Sequence, residues 1–322
     1  MSSNRLEPIP LDAIVAARAR ISGIAIRTPV LALEPDAKVT IHVKLENLQP
    51  IGSFKLRGAG NAISLADPAE LARRGVYTAS AGNMAQGVAW NAQRLGIHCS
   101  VVVPDHAPQA KLAPVERLGA RIVRVPFDTW WQVLVDHGYP GLDGVFIHPV
   151  SDPAVIAGNG TIGLELAEQL PEMTAVVVPY GGGGLACGIA TAVKALRPDV
   201  RVYAAEVETA APLAASLAAG HPVEVDYRAS WVDGIGSRSL LAEIWPLAST
   251  LLDGSITVTL AEVAEAVRLL AMRGRVVAEG AGAAPVAAAL TGRAGPGPVV
   301  AVVSGGGIDP SVLATILGGG MP

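Results

Sequence analysis

The chain has 322 residues, enough for a large core and for two lobes around a cleft. Hydrophobic residues make up 51% of it and charged residues 16%, the balance of a compact globule and the reverse of what extended disorder requires. A formal net charge of −4 leaves no basic field for nucleic acid or an anionic membrane surface, and no apolar run approaches the length of a membrane span. The first residues are polar and lack the apolar core of a secretion signal. Two cysteines, Cys99 and Cys187, cannot build a disulfide framework and suit a reducing compartment, so a cytoplasmic protein is expected.

Pro10 and Asp12 precede an apolar-rich run over 13–20 that stops near Gly23, which predicts a first helix. Val39, Ile41, Val43 and Leu45 alternate with Thr40, His42 and Lys44, the period of a strand with one buried face. From residue 75 strands and helices alternate. Gly75-Val76-Tyr77-Thr78-Ala79 predicts a strand and Ser80-Ala81-Gly82-Asn83 a turn. The helix that follows buries Ala85, Val88, Ala89, Ala92 and Leu95 and stops at Gly96. A strand over 99–104, a helix over 108–118 and a strand over 122–125 continue the rhythm. The second half repeats it with a strand over 175–178, a glycine loop, a helix ending at Leu196 and a strand over 200–206. Thr259 and Glu262 form a capping box for a helix running to Met272, and a last strand over 299–303 leads into Ser304-Gly305-Gly306-Gly307. Strands separated by single helices imply parallel pairing. The fold class is therefore α/β, with two open twisted parallel-sheet lobes flanked by helices and ligands beyond the carboxyl ends of the strands.

Pro179-Tyr180-Gly181-Gly182-Gly183-Gly184-Leu185 follows an apolar strand and opens a helix. Four glycines there let successive backbone N–H groups converge on one point, and the helix N-terminus adds partial positive charge, so a phosphate or similar anion is the natural occupant, with a merely flexible strand–helix turn as the alternative. A Walker loop would end in Gly-Lys-Ser/Thr, which Leu185-Ala186-Cys187 does not supply. Gly158-Asn159-Gly160-Thr161-Ile162-Gly163 spells a dinucleotide fingerprint, but the proline-broken segment before it is no core strand, so a nicotinamide oxidoreductase is only a distant alternative. Lys55, in Gly52-Ser53-Phe54-Lys55-Leu56-Arg57-Gly58, reads locally either as a surface lysine or as a desolvated amine fit for Schiff-base chemistry.

Taken together these segments resemble the fold type II pyridoxal-phosphate-dependent family, in its threonine/serine dehydratase and serine racemase branch. The resemblance is carried by the run from Lys44-Leu45-Glu46-Asn47 to Ser53-Phe54-Lys55-Leu56-Arg57-Gly58, by Thr78-Ala79-Ser80-Ala81-Gly82-Asn83-Met84-Ala85-Gln86-Gly87, and by the tetraglycine loop. Val155-Ile156-Ala157-Gly158-Asn159-Gly160-Thr161, Glu279-Gly280-Ala281-Gly282-Ala283 and Ser304-Gly305-Gly306 complete it, in the same order along nearly the whole chain. It implies a tryptophan synthase β-subunit-like arrangement with the cofactor in the cleft between the lobes. Residues 1–74 and 149–322 then form a large cofactor-binding domain, and 75–148 a small mobile one. It implies pyridoxal 5′-phosphate as cofactor, Lys55 as its Schiff-base lysine and as the base at Cα, and Phe54 and Asn83 against the ring, Asn83 reaching the phenolic oxygen. Gly181, Gly182, Gly183 and Gly184 would hold the phosphate, and Ser304 would face the pyridine nitrogen. A neutral serine there leaves the ring a shallower electron sink than a carboxylate would, which suits prompt loss of a β-leaving group. Ser53, Ser80, Ala81, Gly82 and Met84 would meet the substrate.

The expected reaction is dehydration of L-threonine, L-serine or a related β-hydroxy amino acid to a 2-oxo acid and ammonia. A serine racemase, a β-replacement synthase and, from another class, a non-catalytic cofactor-binding protein are the alternatives. Ala81 stands where racemases of this branch carry a proton-transferring serine, which favours elimination. Met84 stands in place of the usual histidine. With Asn159 this departure points to a specialised substrate, such as 3-hydroxyaspartate, phenylserine or an amino acid derived from hydroxyectoine. Trp130 and Trp131 either line such a pocket or pack in a core or interface. Glu206 and Ala210 fit two positions of the branch's divalent-cation site, but Pro212 stands where its aspartate belongs, so a cation is not expected. The six histidines show no H-x-x-x-H pattern for zinc. Gly307 replaces the usual asparagine after Ser304-Gly305-Gly306. A homodimer acting on a small amino acid is the expected assembly.

Overall fold

The computed structural model describes residues 6–33 and 39–322. In chain order its strands are β1 (Val30–Leu33), β2 (Ile41–Leu45), β3 (Val76–Ala79), β4 (Cys99–Pro104), β5 (Arg121–Val125), β6 (Val145–Phe146), β7 (Ala175–Pro179), β8 (Arg201–Val207), β9 (Gly254–Val258) and β10 (Val299–Val303). They form two sheets, a six-stranded one ordered β1-β2-β10-β7-β8-β9 and a four-stranded one ordered β5-β4-β3-β6. Every pairing is parallel except that of β1 with β2. The smaller sheet is thus inserted between β2 and β7.

The central strands β3, β7 and β10 are buried at every residue, because helices cover both faces of a parallel sheet. Side chains nevertheless alternate between two cores. Val176, Val178, Val300 and Val302 face helices Pro153–Gln169 and Gly184–Leu196, whereas Ala175, Val177, Val299, Ala301 and Val303 face Leu260–Leu269 and Gly280–Leu290. A third core lies beneath the smaller sheet and holds Val88, Ala89, Val101 and Val103. Cys99 and Cys187 are both buried and free, one in each lobe.

The dinucleotide-like glycines prove to be packing contacts. They sit inside the helix Pro153–Gln169, whose first turn is capped by the Asp152 carboxylate accepting from the Ala154 N–H at 2.7 Å. A Cβ on Gly158 would lie 2.6 Å from the Arg57 carbonyl oxygen, one on Gly160 2.8 Å from that of Gly188, and one on Gly163 2.8 Å from that of Ile189. Glycine lets three helices touch backbone to backbone, so the nicotinamide alternative loses its motif. Asn159 likewise lies in a helix contact, its Oδ1 2.7 Å from where Gly58 would carry a Cβ, and not at the substrate cleft. Two smaller expectations also shift. Leu95 is 58% exposed at the end of its helix, and the run to Met272 leaves α-helical geometry after Leu269 for a π-helical turn over Leu270–Gly274.

Candidate active site

Four strand ends bring the site together. β2 runs through a short turn of helix, Glu46–Leu48, to the loop that ends at Phe54, and β10 runs into Ser304. The two loops are laced: the Phe54 N–H donates to the Ser304 carbonyl (3.0 Å), the Gly306 N–H to that of Gly52 (2.9 Å), and Ser53 bridges Gly305. Lys55 then begins the helix Lys55–Leu65. β7 delivers the tetraglycine loop, and β3 delivers Ser80 to Asn83 at the start of the helix Asn83–Leu95. The cleft between the lobes measures about 1220 Å³, above the usual size of a small-molecule site.

The Lys55 amine lies at the floor of this cleft, 5.2 Å from the centre of the Phe54 ring, and donates a 3.0 Å hydrogen bond to the Pro149 carbonyl. Burial lowers its pKa to about 8, against an upward pull from the Glu279 carboxylate. The Pro149 carbonyl is itself held in place. Its neighbour His148 accepts from the Val150 and Ser151 N–H groups at Nδ1 (3.1 and 2.9 Å), and its Nε2 lies 3.1 Å from the Leu134 carbonyl. Burial, with His137 nearby, pushes the His148 pKa down to about 3, so the ring stays neutral. His137, His148 and Glu243 gather metal-ligand atoms, but the imidazoles are stacked 4.4 Å apart and both His148 nitrogens are engaged, so the lone pairs do not converge.

Val150 links the lysine to the glycine turn. A Cβ at Gly182 would lie 2.5 Å from a Val150 methyl, and one at Gly184 2.5 Å from the Val150 carbonyl oxygen. One at Gly183, whose φ is +92°, would lie 2.8 Å from the Tyr180 hydroxyl. The turn therefore excludes side chains and opens the 13-residue helix Gly184–Leu196, whose first N–H groups carry partial positive charge. Lys55 and this turn line the same cleft, as a cofactor carrying both an aldehyde and a phosphate would require. Ser53, expected to meet the substrate, does not line the cleft: it is fully buried where the two loops are laced, its hydroxyl unpartnered beneath the surface that a ligand would touch. Gly184→Ala forces the turn against the Val150 carbonyl, and pyridoxal-phosphate affinity should fall at least tenfold in a fluorescence titration.

Other expected residues take these places. Phe54, Ser80, Ala81, Gly82, Asn83, Gly181, Gly182, Gly183, Gly184 and Ser304 all line the cleft. The Ser80 hydroxyl accepts from the Gly82 N–H (3.2 Å), which shapes the turn. Met84 is fully buried in the core of the smaller lobe and meets the cleft only where that core forms its wall. Trp130 lines the cleft with its indole N–H unpartnered, whereas Trp131 packs against the lobe's second core. Glu206 is occupied elsewhere: its carboxylate accepts from the Leu213 and Ala214 N–H groups (2.9 and 2.8 Å) and from the Ser255 hydroxyl (2.6 Å). It thereby serves the start of the helix Pro212–Ala219, and the Ala210 N–H donates to the Val207 carbonyl. Three groups escaped the sequence reading: Glu279, and the Lys111–Asp233 ion pair that spans the mouth of the cleft between the lobes.

The laced loops, the desolvated lysine and the side-chain-free turn define a cofactor enzyme of the α/β class with its site between two lobes. Residues 21–305 match the family described as pyridoxal-phosphate dependent enzyme, and the chain belongs to it. It is 39% identical over 287 residues to an L-threonine ammonia-lyase of Thermotoga maritima, covering 88% of this chain and 71% of that one. Among solved structures it resembles maize serine racemase (TM-score 0.88, 33% identity, 96% of each chain covered). It also resembles the processed form of threonine deaminase isoform 2 from Solanum lycopersicum (TM-score 0.83, 32% identity, 96% and 94% covered). Among the described residues no helix is long and apolar enough to cross a membrane.

Proposed function

We propose that this chain is a pyridoxal-phosphate-dependent dehydratase that converts a β-hydroxy amino acid to a 2-oxo acid and ammonia. The observation that carries the reading is the Lys55 amine, desolvated and linked through Pro149 and Val150 to a glycine turn with no room for side chains. Gly181 to Gly184 hold the phosphate through backbone N–H groups, Phe54 and Asn83 bound the ring, and Ser304 faces the pyridine nitrogen. The bound cofactor supplies an electron sink for the pair left at Cα. Lys55 takes the Cα proton, while Ser80 and the backbone near Asn83 orient the substrate carboxylate. Ala81 offers no proton to the opposite face, so the carbon is not reprotonated there and the β-hydroxyl leaves instead. Residues 75–148 act as the small lobe that closes over the substrate. Purified protein supplied with pyridoxal phosphate should release equal amounts of oxo acid and ammonia from a hydroxy amino acid. Racemised product without ammonia would overturn the assignment.

The wall of the smaller lobe favours one substrate class within this reading. Pro104, Pro108, Pro114, Phe127 and Trp130 line it, with the Phe127 and Trp130 rings 5.7 Å apart. Such a surface accepts an aromatic or bulky apolar β-substituent better than the methyl of threonine. Phenylserine should therefore exceed serine in kcat/KM. Trp130→Ala should lower the phenylserine value about tenfold or more and leave the serine value within about threefold. Equal losses on both substrates would show Trp130 to be scaffold.

A further inference from the structure

We infer that Glu279 is a positioning residue that fixes the amide of Asn83 so that its N–H, and not its carbonyl, is offered to the cofactor's phenolic oxygen. The inference rests on the reading that Asn83 addresses that oxygen. The two residues lie 196 positions apart and on opposite lobes, yet the Asn83 Nδ2 donates to the Glu279 Oε1 at 2.8 Å. Glu279 precedes the helix Gly280–Leu290, where its side chain makes no capping bond and turns instead into the cleft. There it also accepts from the Gly307 N–H.

The space around the carboxylate is cleared by glycine. A Cβ on Gly305 would lie 2.5 Å from Oε1, one on Gly307 3.2 Å from Oε2, and one on Gly234 3.5 Å from Oε1. A cradle that a single methyl would fill serves a group whose placement matters. Retaining a carboxylate there is also costly on its own, because burial pushes its pKa up to about 7 against the Asn83 bond. The charges facing it are Lys55 from the cleft floor, Asp233 from the neighbouring loop and Lys111 from the smaller lobe.

The chemistry explains why a carboxylate is needed. An asparagine amide can turn over by 180°, exchanging donor for acceptor. An ionised carboxylate only accepts, so it selects the orientation with the NH₂ toward it. The second hydrogen of that NH₂ then points away, toward the ligand. Protonated Glu279 can donate, the selection is lost, and the amide is free to present its oxygen. Because the bond crosses the cleft, the same contact registers the smaller lobe against the larger one.

The test is a double-mutant cycle on the pyridoxal-phosphate-loaded protein with Glu279→Gln, Asn83→Ala and the pair, reading the visible spectrum without substrate as well as turnover. Glutamine keeps the shape and loses the acceptor-only character. Glu279→Gln should shift the cofactor band, remove its inflection near pH 7 and lower kcat at least tenfold with KM within about threefold. The double variant should be no worse than Asn83→Ala alone. Additive losses, or a Glu279→Gln spectrum and pH profile like those of the parent, overturn the inference. The Asn83→Ala arm reads the band even if Glu279→Gln folds poorly. A wild type that shows the inflection yet releases no oxo acid from any hydroxy amino acid would refute the dehydratase reading alone.

Discussion

Lys55→Ala is expected to be colourless when purified and to turn over at least about 10³-fold more slowly than the parent, since the proposed function makes this amine both the covalent anchor and the base at Cα. An exposed lysine near pKa 10.5 is almost wholly protonated at neutral pH, whereas one at about 8 holds about one amine in ten free. Desolvation thus raises the reactive fraction by roughly 300-fold before any cofactor arrives. The substitution breaks one hydrogen bond, to the Pro149 carbonyl, so the far-ultraviolet spectrum should be unchanged. Between about 8 and 10.5 the unfolded chain binds the proton and the folded chain does not, so in the apo parent this group adds stability as pH rises through that window. At neutral pH the folded state carries the penalty, and the apo variant should melt at or above the parent. A variant that stays yellow and retains a tenth of the activity would place the reactive amine elsewhere.

How much of this was legible in the sequence depended on whether the signal was local. β4 and β10 read directly because a strand buried on both faces is a continuous apolar run, and proline or glycine ends it. β1 did not: it is four residues long, mostly exposed, and antiparallel at the sheet edge. The helix Lys55–Leu65 was also hidden, because Gly58 and Gly60 weaken its propensity. Those glycines are there for packing, since a Cβ on Gly58 would meet Val155 at 2.8 Å and one on Gly60 would meet Ile24 at 2.9 Å. The tetraglycine turn was legible because its chemistry is its composition. Glu279 was not, because what distinguishes it is a partner on the other lobe and the loss of water around its carboxyl. Met84 and Asn159 show the converse: both depart from the family pattern, and both express core packing more than substrate contact.

The second large effect is on stability and lies directly beneath Lys55. Arg57, two residues along the same helix and 1% exposed, donates from Nε and Nη2 to Glu46 (both 2.8 Å) and from Nη1 to Glu165 (2.7 Å) and Thr161 (3.1 Å). Lys44 donates to Glu165 at 2.5 Å and to the Thr28 carbonyl at 2.8 Å, so two buried cations balance two buried carboxylates. The cluster ties the helix Lys55–Leu65 to β2 and to the helix Pro153–Gln169. Arg57→Ala leaves Glu46 with neutral donors, Thr28 and Gln49, and Lys44 as its remaining cation, and loss of one partner from a buried pair costs about 3–5 kcal/mol. For a domain of this size that should lower the melting temperature by on the order of 10 °C. Burial pushes the Glu46 carboxyl up, and Arg57 with Lys44 more than reverses this, holding it below the ordinary carboxylate range. Its contribution is therefore present above the unfolded carboxylate pKa and is lost as pH falls through the depressed value. The deficit of the variant should be largest at neutral pH and narrow in acid. Lysine should not restore the parent at this position, because a single ammonium cannot make the forked contacts to two carboxylates. If Arg57→Ala melts within 2 °C of the parent, or if the gap is the same in acid as at neutral pH, the cluster does not hold the lysine helix in the way its geometry implies.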